Sequence, residues 1–95
     1  AYALEGIGSS AVPAVFDPSV VDFAVSVTDR ESFAVTHRLV REEGLLVGGS
    51  SGCAVAAAVA AVDRVRLDGP VVALLADSWD RYWSRMFDPA WLAAL

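Results

Sequence analysis

The chain has 95 residues, of which 56% are hydrophobic and 20% are charged, and its formal net charge is −5. This length allows at most one small domain, and so apolar a composition excludes intrinsic disorder. All 7 basic residues are Arg, so the chain itself cannot supply a Schiff-base lysine, a phosphate-loop lysine or a lysine general base. Arg residues scattered among 12 carboxylates argue against binding of nucleic acid.

The distribution of cysteine and of apolar residues predicts a cytoplasmic protein without a membrane partner. A single cysteine, Cys53, excludes an internal disulfide and a cysteine-based zinc cluster. The longest lipid-like stretch runs from Cys53 to Val62, about half of the roughly 20 residues that a membrane span requires. No charged leader followed by an apolar region is visible.

The residue pattern in the first half of the chain predicts a glycine-rich loop, a strand and a helix. Gly and Ser occupy four of the six positions 5–10, as in a loop. Apolar residues alternate with smaller or polar ones over 20–27, as in a strand with one buried side. Thr28 and Glu31 then form the pattern of a capping box, which predicts that a helix begins here. Gly44 suits the C-terminal cap of that helix.

The sequence of the second half predicts one or two further strands and two further helices. Residues 45–47 indicate a short buried connector or strand, and the loop 48–52 leads into a mostly apolar helix over 53–66. The continuous apolar run 71–76 has the length of a central parallel strand. A short helix is predicted from Pro89.

This order of elements predicts an α/β fold with a partial parallel sheet and flanking helices. Two or three strands do not complete such a sheet, and their open apolar edges would promote aggregation. We therefore expect residues 1–95 to be a single incomplete segment that is completed by another part of the same polypeptide or by a second one.

The loop Gly48-Gly49-Ser50-Ser51-Gly52 lies where a strand-like segment meets a helix. Glycine lets another molecule approach the backbone, and the free N–H groups of a helix start offer donors, so a phosphate cradle is one interpretation. A tight turn with a serine N-cap is the alternative. Because no Lys follows and the GxGxxG spacing is absent, the loop matches neither a P-loop nor a dinucleotide fold.

Several motifs occur together in an order that is typical of one family. They are Glu5-Gly6-Ile7-Gly8, Pro13, Val21-Asp22, the run from Arg41 to Gly52 (REEGLLVGGSSG), and Asp77-Ser78 with Tyr82. With these motifs the chain resembles the C-terminal part of a fold-type II enzyme dependent on pyridoxal phosphate (tryptophan synthase β-like). The similarity is to the cystathionine β-synthase and cysteine synthase (O-acetylserine sulfhydrylase) group.

This resemblance implies a cofactor-binding role for four residues. Ser50 is expected to hydrogen-bond the pyridine nitrogen of pyridoxal 5'-phosphate, held in place by Ser51 and the helix that follows. Gly6 is expected near the substrate side of the cofactor. Asp77 and Ser78 are expected close behind the pyridine ring, as supports rather than contacts. No catalytic residue and no metal ligand is expected in this chain.

The resemblance also implies a reaction class and a partner. The reaction is β-replacement or β-elimination on serine, O-acetylserine or a related activated serine, in a homodimer of the complete enzyme. A complementary N-terminal segment must bring the lysine and the phosphate loop, so we expect the isolated chain to be inactive. Ser9 stands where many cystathionine β-synthases carry Tyr, and Ala76 replaces the usual proline. Cysteine synthases and specialised relatives such as 2,3-diaminopropionate-type synthases therefore stay open.

A different class of function is a non-catalytic interaction or regulatory remnant that pairs with a full-length relative. The remaining notable side chains favour structural roles. We expect His37 to be a surface or half-buried helix residue and Cys53 a small core residue. We expect the three Trp residues to pack the terminal segment or a subunit interface.

Overall fold

The computed structural model describes residues 2–95, which form three α-helices and two short 3-10 helices. The α-helices are α1 (Asp29–Glu43), α2 (Gly49–Arg64) and α3 (Pro89–Ala93), and the 3-10 helices are Pro18–Val20 and Trp79–Tyr82. The predicted helices are thus all present, the last of them beginning at Pro89 as expected. The one β-contact within residues 2–95 is an isolated antiparallel bridge between Val47 and Ser78.

The partial parallel sheet is not confirmed, because no strand forms among residues 2–95. The predicted strand 20–27 begins within a 3-10 helix, and it and the run 71–76 then lack strand pairing. A strand is stabilised by hydrogen bonds to a neighbour, and neither segment has one in this part of the molecule. Val72 and Leu74 are 89% and 83% exposed, so the segment predicted as a buried central strand lies open.

Helix α1 begins and ends as its sequence predicts. Thr28 is the N-cap: its Oγ1 accepts from the N–H of Glu31 at 3.2 Å, and its own N–H donates to Glu31 Oε2 at 2.8 Å. These reciprocal bonds satisfy two backbone donors that a helix start leaves free. Gly44 ends the helix with φ of +67°, a left-handed conformation that glycine adopts at low cost.

Helix α2 begins at Gly49 rather than at Cys53 and ends at Arg64. Its N-cap is Gly48 without a side-chain hydrogen bond, so the serine N-cap of the turn interpretation is wrong. Only the first turn of α2 is buried, and its C-terminal half consists of half-buried and exposed residues. The prediction that this helix is buried on several sides is therefore not met by residues 2–95 themselves.

The buried core joins the N-terminus, α1 and the C-terminal segment. Leu4, Phe33 and Met86 form it, and Trp91 packs edge-to-face against Phe33 with ring centroids 5.6 Å apart. His37 is half-buried and hydrogen-bonds the Met86 carbonyl through Nε2, as a structural histidine does. The partly buried side chains packed against the core are Ala3, Cys53, Tyr82, Phe87, Trp91 and Leu92. The structural role expected of His37 is confirmed, and Cys53 and Trp91 pack against the core as partly buried residues, whereas Trp83 is 65% exposed.

Two further features of residues 2–95 bear on function. No helix in this range is long and apolar enough to cross a membrane. No group of three or more His, Cys, Asp or Glu side chains in the same range could hold a metal ion.

Candidate functional site

The structure brings the loop 48–52 and the Asp77-Ser78 pair together. The N–H of Gly48 donates to the carbonyl of Asp77 at 3.3 Å, and Ser78 Oγ donates to the carbonyl of Leu46 at 3.4 Å. The bridge between Val47 and Ser78 lies between these two bonds. Two motifs distant in the sequence therefore form one site at the start of α2.

Asp77 supports this site through Tyr82. The Tyr82 hydroxyl donates to Asp77 Oδ2. This hydrogen bond, followed by burial and by the negative charge of Asp77, raises the pKa of Tyr82 to about 12. The other carboxylate oxygen, Asp77 Oδ1, is buried and has no hydrogen-bond partner within residues 2–95. Tyr82 is part of the recognised motif, but the sequence does not show its contact with Asp77.

The glycines of the loop are required by packing within the protein. A Cβ at Gly48 would lie 2.6 Å from Tyr82 Cε2, and a Cβ at Gly49 would lie 2.7 Å from Leu4 Cδ1. Both distances are too short for any larger residue to fit without movement of its neighbours. Close packing against the protein's own side chains is therefore one reason for glycine at these two positions, and the interpretation that the loop admits another molecule stays a prediction.

Helix α1 holds the loop from the other side through two small polar residues. Thr36 and Ser32 are fully buried, and Thr36 Oγ1 donates to the Ser32 carbonyl at 2.9 Å and approaches the Gly48 carbonyl at 3.4 Å. A Cβ at Gly52 would collide with both residues, at 2.8 Å from the Thr36 nitrogen. This contact is not predicted from the sequence, although the two small polar residues one turn apart on α1 are a signal for it.

Ser50 and Ser51 occupy different environments in the first turn of α2. Ser50 is the second helical residue and is half-buried. Ser51 is fully buried, and its Oγ has no hydrogen-bond partner in the described part of the chain. Ser51 therefore helps to fix the helix start through burial and through its N–H, which donates to the Gly48 carbonyl at 3.2 Å.

The loop that contains Gly6 is separate and open. Gly6 is exposed with φ of +79°, and nothing lies within 4 Å of the position a Cβ would take. Glu5 forms an ion pair with Arg85, which ties this loop to the C-terminal segment. The structure thus places Gly6 on an exposed loop and gives it no close contact at that position.

A cofactor would have to bind on the open side of the site. The cavity lined by Gly49, Tyr82 and Met86, among others, has a volume of about 10 Å³. That volume holds at most one water molecule. Little free space therefore remains between the first turn of α2 and the C-terminal segment at this cavity, and Ser50 is the half-buried serine of that turn.

A family model described as "Pyridoxal-phosphate dependent enzyme" matches residues 2–77. The chain belongs to this family. Its 95 residues are 42% identical over 92 residues to cystathionine beta-synthase of Oryctolagus cuniculus, covering 97% of this chain and 17% of that protein. They are 37% identical over 95 residues to a putative cysteine synthase of Sinorhizobium fredii, covering 97% of this chain and 28% of that protein.

A solved structure supports the same relationship. A lysine-to-alanine variant of O-ureido-L-serine synthase, bound to O-ureido-L-serine, superimposes with a TM-score of 0.82 at 32% sequence identity. The match covers 98% of this chain and 32% of that one. The predicted resemblance is confirmed, and pyridoxal phosphate is the cofactor of the family.

Proposed function

We propose that this chain forms the pyridine-ring side of the active site in a β-replacement or β-elimination enzyme. Its substrates are serine, O-acetylserine or a related activated serine. The observation that carries the proposal is the position of Ser50, a half-buried hydroxyl on a helix start held by α1 and by Asp77. Membership of the family and relatives named cystathionine beta-synthase and cysteine synthase support the reaction class.

The donor set of the site fits the pyridine ring of the cofactor. A serine hydroxyl can donate to, or accept from, a ring nitrogen. The N-terminus of α2 carries partial positive charge, which disfavours a proton on a nitrogen held beside Ser50. A neutral hydroxyl together with this helix end therefore favours an unprotonated ring nitrogen.

Bound pyridoxal phosphate supplies the electron sink for such chemistry. Ser50 positions the ring nitrogen and sets its protonation. Ser78 and the Asp77 backbone hold the loop from behind through hydrogen bonds to Leu46 and Gly48. Because this chain has no lysine, the amine that binds the cofactor comes, in our proposal, from a complementary segment that also supplies the phosphate loop.

The first experiment tests the need for that segment. We expect the 95-residue chain alone to show neither the absorbance of lysine-bound cofactor nor turnover, and both to appear in the complete enzyme. The complete enzyme here means this chain joined to, or complexed with, the lysine-bearing segment. Turnover by the isolated chain would overturn the proposal.

The second experiment tests Ser50 in the complete enzyme. Removing one hydrogen bond of about 0.5–1.5 kcal/mol in Ser50→Ala should weaken cofactor affinity about 2- to 13-fold. Ser50→Asp should shift the cofactor absorbance, because a carboxylate favours a protonated ring nitrogen. Ser84→Ala is the control, since Ser84 is exposed on the C-terminal segment. If Ser50→Ala binds cofactor and turns over like the unaltered enzyme, the chain is better described as an interaction module.

The homodimer and the cytoplasmic location are also proposals, and both come from the resemblance and the composition. The choice between serine and O-acetylserine as substrate is decided by assaying the complete enzyme with each.

A further inference from the structure

Tyr82 lies directly behind the loop that carries Ser50. Its ring faces Gly48 so closely that a Cβ there would lie 2.6 Å from Tyr82 Cε2. Its hydroxyl donates to Asp77 Oδ2, and the Asp77 carbonyl accepts from the Gly48 N–H at 3.3 Å. Tyr82 is thus connected to the loop by direct packing and through Asp77.

The Asp77 side chain depends on this hydrogen bond. Within residues 2–95, Asp77 Oδ1 is buried against Gly48 and has no hydrogen-bond partner. The other carboxylate oxygen, Oδ2, accepts from the Tyr82 hydroxyl. Leaving a buried carboxylate oxygen unpaired is unfavourable, so the remaining hydrogen bond has a large share in keeping the side chain in place. Loss of the Tyr82 hydroxyl would leave Asp77 free to turn toward solvent.

The donor direction of the pair is fixed over the pH range of an assay. The pKa of Tyr82 is raised to about 12, first by its hydrogen bond to Asp77. The phenol therefore stays protonated and donates. A change of Asp77 rotamer would remove the contact that fills the space beside Gly48, directly before the first turn of α2.

We propose that Tyr82 is a positioning residue for the Ser50 hydroxyl, acting through Asp77 and the Gly48 backbone. This inference rests on the proposed contact of Ser50 with the cofactor. Through Tyr82, the C-terminal segment then fixes the Ser50 hydroxyl, which in our proposal faces the cofactor. Tyr82 itself lies behind the loop.

The test is a double-mutant cycle in the complete enzyme with Tyr82→Phe, Ser50→Ala and the double variant. The measurements are the cofactor dissociation constant from fluorescence titration and the cofactor absorbance spectrum. Tyr82→Phe keeps the ring and removes the hydroxyl, so we expect about 3- to 10-fold weaker cofactor binding. In the Ser50→Ala background the same change should have no further effect, because the group that Tyr82 positions is gone. Tyr2→Phe is the matched control, since Tyr2 is the other tyrosine of the chain and is 60% exposed.

Each outcome separates the two proposals. If Tyr82→Phe weakens binding equally with and without the Ser50 hydroxyl, Tyr82 has a general structural role and the inference is wrong, while the role of Ser50 stands. If Ser50→Ala weakens binding and Tyr82→Phe does not, the inference is also wrong. If Ser50→Ala changes neither affinity nor spectrum, the proposed role of Ser50 fails, and the inference fails with it.

Discussion

Substituting Gly52 by alanine should destabilise the contact between α1 and α2. A Cβ at this position would meet the Ser32 carbonyl, the Thr36 hydroxyl and, at 2.8 Å, the Thr36 nitrogen. Two of these three atoms belong to the α1 backbone, so rotation of a side chain cannot relieve the collision. The two helices must move apart.

The size of the effect follows from opposing contributions. Overpacking a well-packed core costs typically about 1–3 kcal/mol. Separation of the helices also weakens the approach of Thr36 Oγ1 to the Gly48 carbonyl, now 3.4 Å, which contributes up to about 1 kcal/mol. Replacing glycine by alanine within a helix adds at most about 1 kcal/mol to the free energy of unfolding, because alanine has the higher helix propensity. We therefore expect Gly52→Ala to lower the free energy of unfolding by about 1–3 kcal/mol.

Urea denaturation of the complete enzyme, followed by circular dichroism, measures this change. Thr36→Ala in the Gly52→Ala background tests the reasoning, because it removes the hydroxyl and leaves both backbone atoms in place. We expect that second substitution not to restore stability. A Gly52→Ala variant as stable as the unaltered protein, or full rescue by Thr36→Ala, would refute the argument from backbone contact.

Three further predictions concern the ends of the two long helices and the Asp77–Tyr82 pair. Ser51→Ala should stabilise the protein by up to about 1 kcal/mol, because it removes a buried hydroxyl without a partner; a loss of stability on urea denaturation would reveal a partner in the complementary segment. Thr28→Ala should destabilise by about 1 kcal/mol through loss of the capping box with Glu31, and an unchanged urea midpoint would contradict this. Asp77→Asn should lower the pKa of Tyr82 from about 12 toward its ordinary value of 10, measured by tyrosinate absorbance, whereas an unchanged pKa would rule out the pairing. Because the pKa of Tyr82 is raised on folding, the stability from this pair is complete below about pH 10 and is lost as the pH rises through about 12.

The helices of this chain are predictable from sequence because their signals are local. The capping box at Thr28 and the left-handed Gly44 act within one turn, and both are found where the pattern indicates. The strands are different, since extended segments need hydrogen-bonding neighbours to become strands. The apolar pattern of 71–76 indicates what the segment prefers to contact, and residues 2–95 do not provide that contact.

In the candidate site, too, the features with local sequence signals were predictable and those that depend on distant contacts were not. The motif located the loop and the Asp77-Ser78 pair, and the structure brings them into contact. The reason for the glycines could not be read from the motif, because it depends on side chains that arrive from α1 and from the C-terminal segment. Tyr82 and Thr36, which support the loop from opposite sides, become visible only after folding.

The exposed apolar segment 71–76 and the absence of lysine from this chain independently support the proposal that a complementary segment completes the protein. Val72 and Leu74 are 89% and 83% exposed, and they lie on the segment that directly precedes Asp77. Burying each of two such side chains gains about 1.5–3 kcal/mol, which favours covering of this segment by another part of the complete protein. A strand added there would lie beside the segment that leads into the site. In our proposal the complementary segment therefore both covers this apolar surface and brings the lysine to the cofactor, so that assembly and completion of the active site are one event.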